Sequence, residues 1–406
     1  MADSGHTAWL LTATALVFFM TPGLAFFYGG LVRAKNIVNT IMLSFMSIAV
    51  VSIVWVLWGY SLAFGTGNAY IGDLSLLGLS GVPFASGEGD AYPELAFVSF
   101  QMMFAIITPA LITGAFAERF QIKTYLIFLV LWSTLVYSPI THWVWAEKGW
   151  LLELGALDFA GGTVIHINAG IAAVAAALIV GKRRNPGLQP NNVPYVVLGA
   201  AILWFGWFGF NAGSALAAND SAANAFLVTN VAAATAALTW GLISMCRTGK
   251  IGAVGVATGA VAGLVAITPA AGAVGVLGSL AIGFGAGLLC FFAVELIHKT
   301  GMDDALDVFA VHGIGGIWGA IATGIFTVSA ITGGTAGLIE GNPSQVGIQA
   351  VGVVATLIYS GVVSFVILFI LDKIPGLGLR ASESDEDLGL DLASHGEQAT
   401  VRDGAD

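Results

Sequence analysis

DFAGGTVIHINAGIAAVAAALIV, residues 158–180, is the stretch of sequence that decides the fold class. After Asp158 it continues to Val180 without an Asp, Glu, Lys or Arg residue. A membrane-spanning helix needs about 20 consecutive apolar residues, so this stretch is long enough to cross a bilayer. His166 is the one ionisable side chain inside it, and such a group is costly in lipid unless it is partnered or hydrated. The stretch therefore predicts a transmembrane helix that carries a functional residue.

The whole chain has the composition of a membrane protein. Of its 406 residues, 57% are hydrophobic and only 9% are charged, against about 25% charged in a soluble domain. Much of the net charge of −10 lies at the C-terminus, because residues 381–406 contain eight acidic residues and one basic residue. We therefore expect a transmembrane domain over residues 1–375 and an acidic cytoplasmic tail over residues 376–406. This composition excludes nucleic-acid binding.

Ten uncharged stretches are long enough to span a bilayer. They cover residues 4–32, 36–72, 95–117, 124–146, 159–181, 185–219, 221–246, 251–294, 308–339 and 341–371. The stretch 251–294 has 44 residues and contains ITPAAG at residues 267–272, which is typical of a turn. Because it is long enough for two spans, we expect eleven transmembrane helices.

The positions of Lys and Arg predict the orientation, since cytoplasmic loops collect basic residues. With an external N-terminus and eleven spans, thirteen of the fourteen Lys and Arg residues fall on the cytoplasmic side, and only Lys148 falls outside. Joining the two halves of the longest stretch into one span would put Lys250 and Lys299 on opposite faces. The sequence therefore predicts an all-α, multi-pass protein of the inner (cytoplasmic) cell membrane, with the N-terminus outside and the C-terminus inside.

The two halves of the chain share a spacing. Asp158 precedes His166 by eight residues, and Asp304 precedes His312 by the same distance. The halves also share similar segments rich in Gly and aromatic residues, at residues 23–30 and 206–213. Each repeat unit would hold five spans, so the second unit must be inverted relative to the first. An inverted five-plus-five repeat is a common transporter plan, with the transport site between the halves.

The two histidines predict a site near the middle of the bilayer. Each lies about 12 Å along its helix from its aspartate, at 1.5 Å per residue. Because the two helices enter from opposite faces, the imidazoles of His166 and His312 can meet and offer nitrogen atoms to a small polar solute. The alternative is two unrelated buried histidines bonded to backbone carbonyls. We expect no metal or other cofactor, since no Cys or carboxylate lies beside the histidines in sequence.

The aspartates near these histidines have more than one interpretation. Asp158 opens span five, where a carboxylate caps a helix N-terminus and can also bias the outer mouth toward cations. Asp303, Asp304 and Asp307 crowd the start of span ten. There we expect helix capping and a solvated acidic face.

Aromatic residues are a second unusual group. Trp143 and Trp145 lie at the external end of span four, where a membrane-interface belt is the ordinary expectation and cation binding is the alternative. Phe104 and Phe210 lie in spans three and six, where they can face either lipid or the protein core. Sequence periodicity does not separate these possibilities.

Five long segments resemble the Amt, Mep and Rhesus superfamily, and specifically its prokaryotic Amt-type ammonium transporters. They are PGLAFFYGGLVR at 22–33, AFAER at 115–119, DFAGGTVIHIN at 158–168, WFGFNAGS at 207–214 and DDALDVFAVHG at 303–313. These segments are ordered along nearly the whole chain. The resemblance implies selective transport of ammonium by a homotrimer with one pore per subunit, eleven helices and an inverted repeat.

The resemblance also assigns roles to individual residues. They are Trp145, Phe104 and Ser214 for external ammonium binding, Phe104 with Phe210 as a gate, His166 and His312 as pore histidines, and Asp158 as a supporting carboxylate. In this mechanism NH4+ is recruited at the aromatic site and deprotonated, and NH3 is conducted past the histidines. The spacing in residues 142–145, HWVW, favours the second tryptophan over Trp143.

The tail resembles the family's cytoplasmic regulatory tail, which implies binding of a PII-type signal protein; the alternative is a disordered acidic tail. Two other functions compete with ammonium transport. An ion-coupled amino-acid carrier would need a broken helix and a densely polar midplane. An ammonium sensor that transports little would be supported by a fused signalling domain. We expect no enzymatic activity, because the sequence shows no nucleophile, metal set or cofactor loop.

Overall fold

The computed structural model describes residues 2–87, 89–187 and 189–400, so the last six residues of the predicted tail lie outside it. In these residues all regular secondary structure is helical. The only strand-like pairing in the described ranges is an isolated antiparallel bridge between Phe120 and Arg380, which joins the tail to the helical body. The predicted all-α class is confirmed for this part of the chain.

Ten helices of the described chain are long and apolar enough to cross a membrane. They are α1 (Ser4–Leu31), α2 (Ala34–Phe64), α3 (Glu94–Phe116), α4 (Ile122–Leu154), α5 (Gly162–Val180), α6 (Val193–Gly213), α7 (Asp220–Thr248), α9 (Val276–Thr300), α10 (Phe309–Phe326) and α11 (Ser344–Lys373). A shorter apolar helix, α8, occupies Ala253–Ile267 between α7 and α9. The regular part of α4 ends at Trp145 and is followed by the short segment Trp150–Leu154.

The interruption predicted at residues 267–272 is present, because α8 ends at Ile267 and α9 begins at Val276. With 15 residues, α8 is about 22 Å long, shorter than the hydrocarbon core of about 30 Å. The chain beyond it stays buried, and Ala270, Ala271 and Val274 have no exposed surface. The buried turn therefore carries the chain onward through the protein rather than through lipid.

Glycine residues let the helices that hold the site approach closely. A Cβ atom at Gly199 in α6 would lie 2.2 Å from the backbone nitrogen of Phe27 in α1. A Cβ atom at Gly170 in α5 would lie 2.4 Å from the Cα atom of Gly313 in α10. Small residues permit such backbone contact between helices in a membrane. The pairs α1 with α6 and α5 with α10 are the ones related by the sequence repeat.

The two histidine-bearing helices begin in the same irregular way. Each opens with a six-residue π-helical turn, at Gly162–Ile167 in α5 and at Phe309–Ile314 in α10. A π-helical turn accommodates one more residue than an α-helical turn and is frequent at functional sites. Both histidines lie inside these turns, so the repeat is visible in the backbone as well as in the sequence.

The tail lies against one end of the helical bundle, which we call the tail face. The Nζ atom of Lys35 donates to the backbone oxygens of Glu386 and Asp387 at 2.7 and 2.6 Å. The backbone nitrogen of Asn39 donates to Oδ1 of Asp391 at 2.8 Å. These contacts hold the tail on the first turns of α2. Up to residue 400, the alternative of a disordered tail is not what the structure shows.

Candidate functional site

The centre of the candidate site is a pair of buried histidines. Nδ1 of His166 lies 3.2 Å from Nδ1 of His312, and the two rings are 5.3 Å apart with an angle of 20° between their planes. Their exposed fractions are only 1% and 4%. Two neutral imidazoles share such a contact only when one Nδ1 donates and the other accepts. The two Nε2 atoms then differ as well, since one is an acceptor and the other a donor.

Apolar side chains surround the histidine pair. Trp207 stacks on the ring of His166 at 5.4 Å, and Leu24, Leu203 and Val261 line the small space beside them. This space has a volume of about 10 Å³, which is close to the smallest volume that holds one water molecule. The Nε2 atom of His166 has no hydrogen-bond partner among the described residues. The pair is therefore the polar element of a narrow apolar passage.

Two phenylalanines close the passage next to the histidines. The rings of Phe104 and Phe210 are 4.4 Å apart and tilted by 40°, and both side chains are buried. Phe210 lies 6.0 Å from the ring of His166. The structure therefore places the predicted gate and the predicted pore histidines in one continuous column of rings. It also excludes lipid exposure for both phenylalanines.

Trp145 adjoins this column at the end opposite the tail face. Its ring meets Phe104 edge-on at 5.9 Å and 86°, and its Nε1 atom donates to the backbone oxygen of Asp158 at 2.8 Å. Trp143 points elsewhere, since its Nε1 atom donates to the backbone oxygen of Tyr70 and its ring packs on Tyr359. Of the two tryptophans, Trp145 is the one that touches the phenylalanine pair.

Ser214 follows the last turn of α6, one helical turn beyond the gate. Its Oγ atom donates to the backbone oxygen of Phe210 at 2.8 Å, which leaves the lone pairs of the hydroxyl free. The side chain is partly exposed, whereas Phe210 is buried. Ser214 therefore lies at the open end of the column.

Asp158 caps the π-helical turn that opens α5. Its Oδ1 atom accepts from the backbone nitrogens of Gly161 and Gly162 at 2.8 and 2.5 Å. Its Oδ2 atom accepts from the backbone nitrogens of Thr163 and Val164 at 2.8 and 3.2 Å, and from the Thr163 hydroxyl. Burial raises the pKa of Asp158, while the hydrogen bonds from Thr163 and the two glycines oppose that shift. Both carboxylate oxygens are fully occupied by these donors.

The acidic residues before α10 are arranged differently. Asp303 forms an ion pair with Arg183 at 2.6 Å, and Oδ1 of Asp307 lies 2.7 Å from Nε2 of His298. Asp304 accepts from the backbone nitrogen of Phe309 at 2.7 Å and so caps the turn, as expected. The expectation of a solvated acidic face is wrong for Asp303 and Asp304, which are buried. They are buried because the loop that carries them packs into the body of the protein beside α5.

Sequence reasoning missed two residues that shape the site. Trp207 stacks on His166, and the only feature of the sequence that pointed to Trp207 was its place in the repeated aromatic segment at residues 206–213. Gln349 in α11 pairs with both the nitrogen and the oxygen of Leu157, each at 2.7 Å, and so fixes the loop that carries Asp158. A glutamine inside an apolar span was a detectable signal, because a polar side chain at that depth needs partners.

Within the described part of the chain, His, Cys, Asp and Glu residues form no group of three or more that is able to hold a metal ion. The arrangement instead offers a cation-attracting aromatic end, a closed apolar passage and a hydrogen-bonding imidazole pair. Helices of membrane length around such a passage define a multi-pass membrane transport protein.

Comparison with known proteins identifies the family. Residues 8–400 match the Ammonium Transporter Family. An ammonium transporter of Aquifex aeolicus is 53% identical over 405 residues, which covers 98% of this chain and 93% of that protein. The crystal structure of Candida albicans Mep2 has a TM-score of 0.89 at 39% identity and covers 95% of this chain and 88% of its own. A solved structure described as a sensor Amt protein has a TM-score of 0.89 at 31% identity, with coverages of 96% and 98%. The chain belongs to the ammonium transporter family, as its sequence resemblance predicted.

Proposed function

We propose that this protein is a selective ammonium channel in which NH4+ binds at an aromatic site, loses its proton, and crosses the apolar passage as NH3. The observation that carries the proposal is the 3.2 Å contact between His166 and His312 beside the Phe104–Phe210 pair. This arrangement supplies hydrogen-bonding groups without a formal charge at the centre of the passage. Such a site favours a small neutral polar solute over an ion.

The topology that fits this function has eleven spans in an inverted five-plus-five repeat. It counts α8 together with the buried turn after Ile267 as one crossing. The packing of α1 on α6 and of α5 on α10 supports the repeat, because both pairs relate equivalent helices of the two halves. The N-terminus and Trp145 then lie outside, and the tail face lies in the cytoplasm. Residues 1–375 form the channel domain and residues 376–406 the regulatory tail.

Ammonium is recruited at Trp145, Phe104 and Ser214. A tryptophan face attracts a desolvated cation by up to about 2 kcal/mol, and a serine hydroxyl oxygen accepts a hydrogen bond from N–H. The hydrogen bond from Trp145 to the backbone of Asp158 fixes the orientation of the indole ring. Asp158 acts through this positioning and through its charge near the mouth, because its oxygens are already occupied.

Deprotonation explains why the passage selects ammonium. Moving a bare ion out of water into an apolar passage costs far more than an aromatic ring returns, so K+ and Na+ are rejected. Ammonium avoids that cost by leaving its proton behind. Ammonia then needs one donor and one acceptor, which the two Nε2 atoms of the histidine pair supply. The same nitrogens are able to relay the released proton.

An amino-acid carrier fits this structure poorly. Apart from the two imidazoles, the described residues that line the passage at His166 and His312 are apolar or aromatic, so a zwitterion finds no partners there. These lining residues also include no serine, cysteine or lysine nucleophile, and we propose no enzymatic reaction. Sensing beside transport remains compatible with the docked tail and with a structural relative described as a sensor.

The proposed assembly is a homotrimer in the inner (cytoplasmic) membrane, with a PII-type signal protein bound at the tail face. The sequence resemblance supports the trimer and the PII partner. The many large apolar side chains that are exposed along α7, α9 and α11 fit contact with lipid and with neighbouring subunits. The acidic tail, held on the same face as the basic residues Lys35 and Arg184, offers a charged docking surface.

The proposal is tested by replacing His166 and His312 with Ala and recording ammonium currents on a solid-supported membrane. We expect the double variant to assemble and to lose the ammonium current. His142→Ala is the matched control, because His142 is equally buried but bonds to the backbone oxygens of Ala63 and Asn68 and does not line the space beside His166 and His312. That control should lose stability yet keep its current per assembled protein. Full ammonium current in the double variant, with K+ still rejected, would show that the pair is only structural.

A further inference from the structure

A buried carboxylate with an unused oxygen borders the wide cavity at the tail face. This cavity has a volume of about 560 Å³ and is lined by both Asp304 and His312. Asp304 is only 3% exposed, and its Oδ2 atom accepts one hydrogen bond, from the backbone nitrogen of Phe309. Its Oδ1 atom has no partner among the described residues. A buried carboxylate oxygen without a donor is rare, and it needs an explanation.

Several ionisable groups face Asp304. They are Asp303 and Asp307 on its own loop, Tyr28 on α1, Arg119 after α3, Lys182 and Arg183 after α5, His298 at the end of α9, and His312 on α10. Most of these groups already have partners. Asp303 is paired with Arg183. Asp307 lies against His298. The Tyr28 hydroxyl donates to the backbone oxygen of Leu111.

The two buried arginines are therefore directed at acceptors other than Asp304. Arg119, the nearest buried cation, donates to the backbone oxygens of Ala115, Ala117, Gly181 and Asp303. Burial, assisted by the neighbouring Asp307 carboxylate, raises the pKa of Asp304 to about 7. Near neutral pH this carboxyl group is therefore present in both its protonated and its ionised form.

We propose that Asp304 is the proton-exchange group at the tail end of the pore, where it returns a proton to ammonia and re-forms ammonium. The proposal rests on the proposed ammonium conduction and adds the residue at which the crossing ends. The position is suited to this role, since His312 borders the same cavity and the cavity is large enough for many water molecules of about 30 Å³ each. It is a second ammonium-binding position, distinct from the aromatic one.

The exchange conserves atoms and charge. The O–H bond of the protonated Asp304 carboxyl breaks, an N–H bond forms on NH3, and the products are an Asp304 carboxylate and NH4+. The ammonium ion pairs with the carboxylate until it leaves through the open side of the cavity. The carboxylate then takes up the next proton delivered through the histidine pair, by way of water in the cavity. An acid–base group needs a free oxygen for this task, and Asp304 has one.

The test uses the full-length protein in proteoliposomes and compares Asp304→Asn with Asp307→Asn. Both variants remove one negative charge from the same cavity, but Asp307 is engaged with His298. We expect Asp304→Asn to lower the ammonium current about a hundredfold, the lower range for a positioned acid–base group, and Asp307→Asn to keep it. Asp304→Glu, which restores the acid, should recover a measurable part of the current.

A pH profile of the unmodified protein provides a second test that does not depend on the folding of a variant. As the pH on the tail side falls through about 7, Asp304 is protonated from that side and no longer accepts the relayed proton, so inward current should decline. Inward current that is independent of tail-side pH between 6 and 8, at about the same driving force, would overturn the proposal. An Asp304→Asn variant with unchanged current would also overturn it.

The outcomes separate this proposal from the proposed function. If the Asp304→Asn variant keeps its current while the His166 and His312 double variant loses it, only the role of Asp304 fails. If the unmodified protein shows no ammonium current, the proposed function itself fails.

Discussion

The segment from Asp158 to His166 and the segment from Asp304 to His312 share spacing, a π-helical turn and a capping aspartate, yet their carboxylates differ. Asp158 accepts five hydrogen bonds, whereas Asp304 accepts one. A repeated sequence pattern has thus produced the same backbone with unlike chemistry at its two ends. The carboxylate at the aromatic end holds structure, and the one at the tail end keeps an oxygen free.

The largest expected effect comes from placing a third carboxylate between these two. His312→Asp would introduce an acid into the narrow passage and erase the difference between its charged ends and its neutral centre. We expect K+ conductance to appear and ammonium selectivity to fall, with a loss of stability of about 3 kcal/mol for an acid buried in a membrane protein. Currents with K+ and ammonium pulses check this expectation. Unchanged K+ rejection would mean that neutrality at the histidine pair does not set selectivity.

A smaller effect should separate the two aspartates directly. Asp158→Asn keeps one acceptor but turns an amide toward backbone N–H groups, so we expect a loss of about 2 kcal/mol. Ammonium uptake should fall further than the assembled fraction, because the charge near the mouth is lost too. Uptake and thermal dissociation of the assembly, measured together, check this. Equal losses of both would leave Asp158 with a capping role alone.

Asp304→Asn should behave differently in the same unfolding measurement. The pKa of Asp304 is raised from 3.8 to about 7, so between these values the folded protein holds a proton that the unfolded chain has released. The free energy of unfolding therefore falls as pH rises through this window, by up to about 1.4 kcal/mol per pH unit. We expect the Asn variant to lack this slope and to be no less stable at pH values above the window. A slope that persists in the variant would assign it to another group.

The smallest effect on ammonium current should come from the tail, which covers only one of the two ends compared here. Deletion after Arg380 removes the buried side chain of Leu390 and the hydrogen bonds of Lys35 and Asn39 with the tail, but no membrane-spanning helix. We therefore expect the helices to stay folded, with a loss of about 3 kcal/mol in unfolding free energy. Regulation should be lost first, since the contacts of Lys35 and Asn39 with the tail disappear. Binding of a PII-type protein to the truncated and full-length forms checks this. Equal affinity would contradict the role assigned to the tail.

Most helices and the central histidines could be predicted from sequence, because both depend on local patterns. Uncharged length identifies a span, and the repeated spacing of eight residues singles out His166 and His312. The length of α8 was harder to predict from the sequence. Its uncharged sequence continues through residues 268–275. The sequence predicts a turn within them, but only the folded structure shows that the turn is buried and that the helix before it has just 15 residues.

The rest of the site depends on which side chains meet across the fold. Trp143 and Trp145 are the same residue type two positions apart. The family resemblance favours Trp145, but the packing of Phe104 on its ring is visible only in the structure. The same holds for Asp303 and Asp304, which are adjacent in sequence. Asp303 forms an ion pair with Arg183 from the loop after α5, whereas Oδ1 of Asp304 has no partner among the described residues. The neighbours of these two aspartates, rather than their residue type, therefore decide their chemistry.

The contact between the two Nδ1 atoms affects how one proton transfer through the histidine pair can follow another. A proton that enters at Nε2 of His166 and leaves at Nε2 of His312 shifts the shared hydrogen from one ring to the other. Afterwards both rings are in the opposite tautomer, and the pair is oriented to pass a proton backwards. Each forward passage must therefore be followed by a reset, in which the rings turn or exchange protons with solvent, before the next passage begins. The proposed proton relay therefore contains a step, tautomer recovery in two buried rings, that the passage of neutral ammonia does not require.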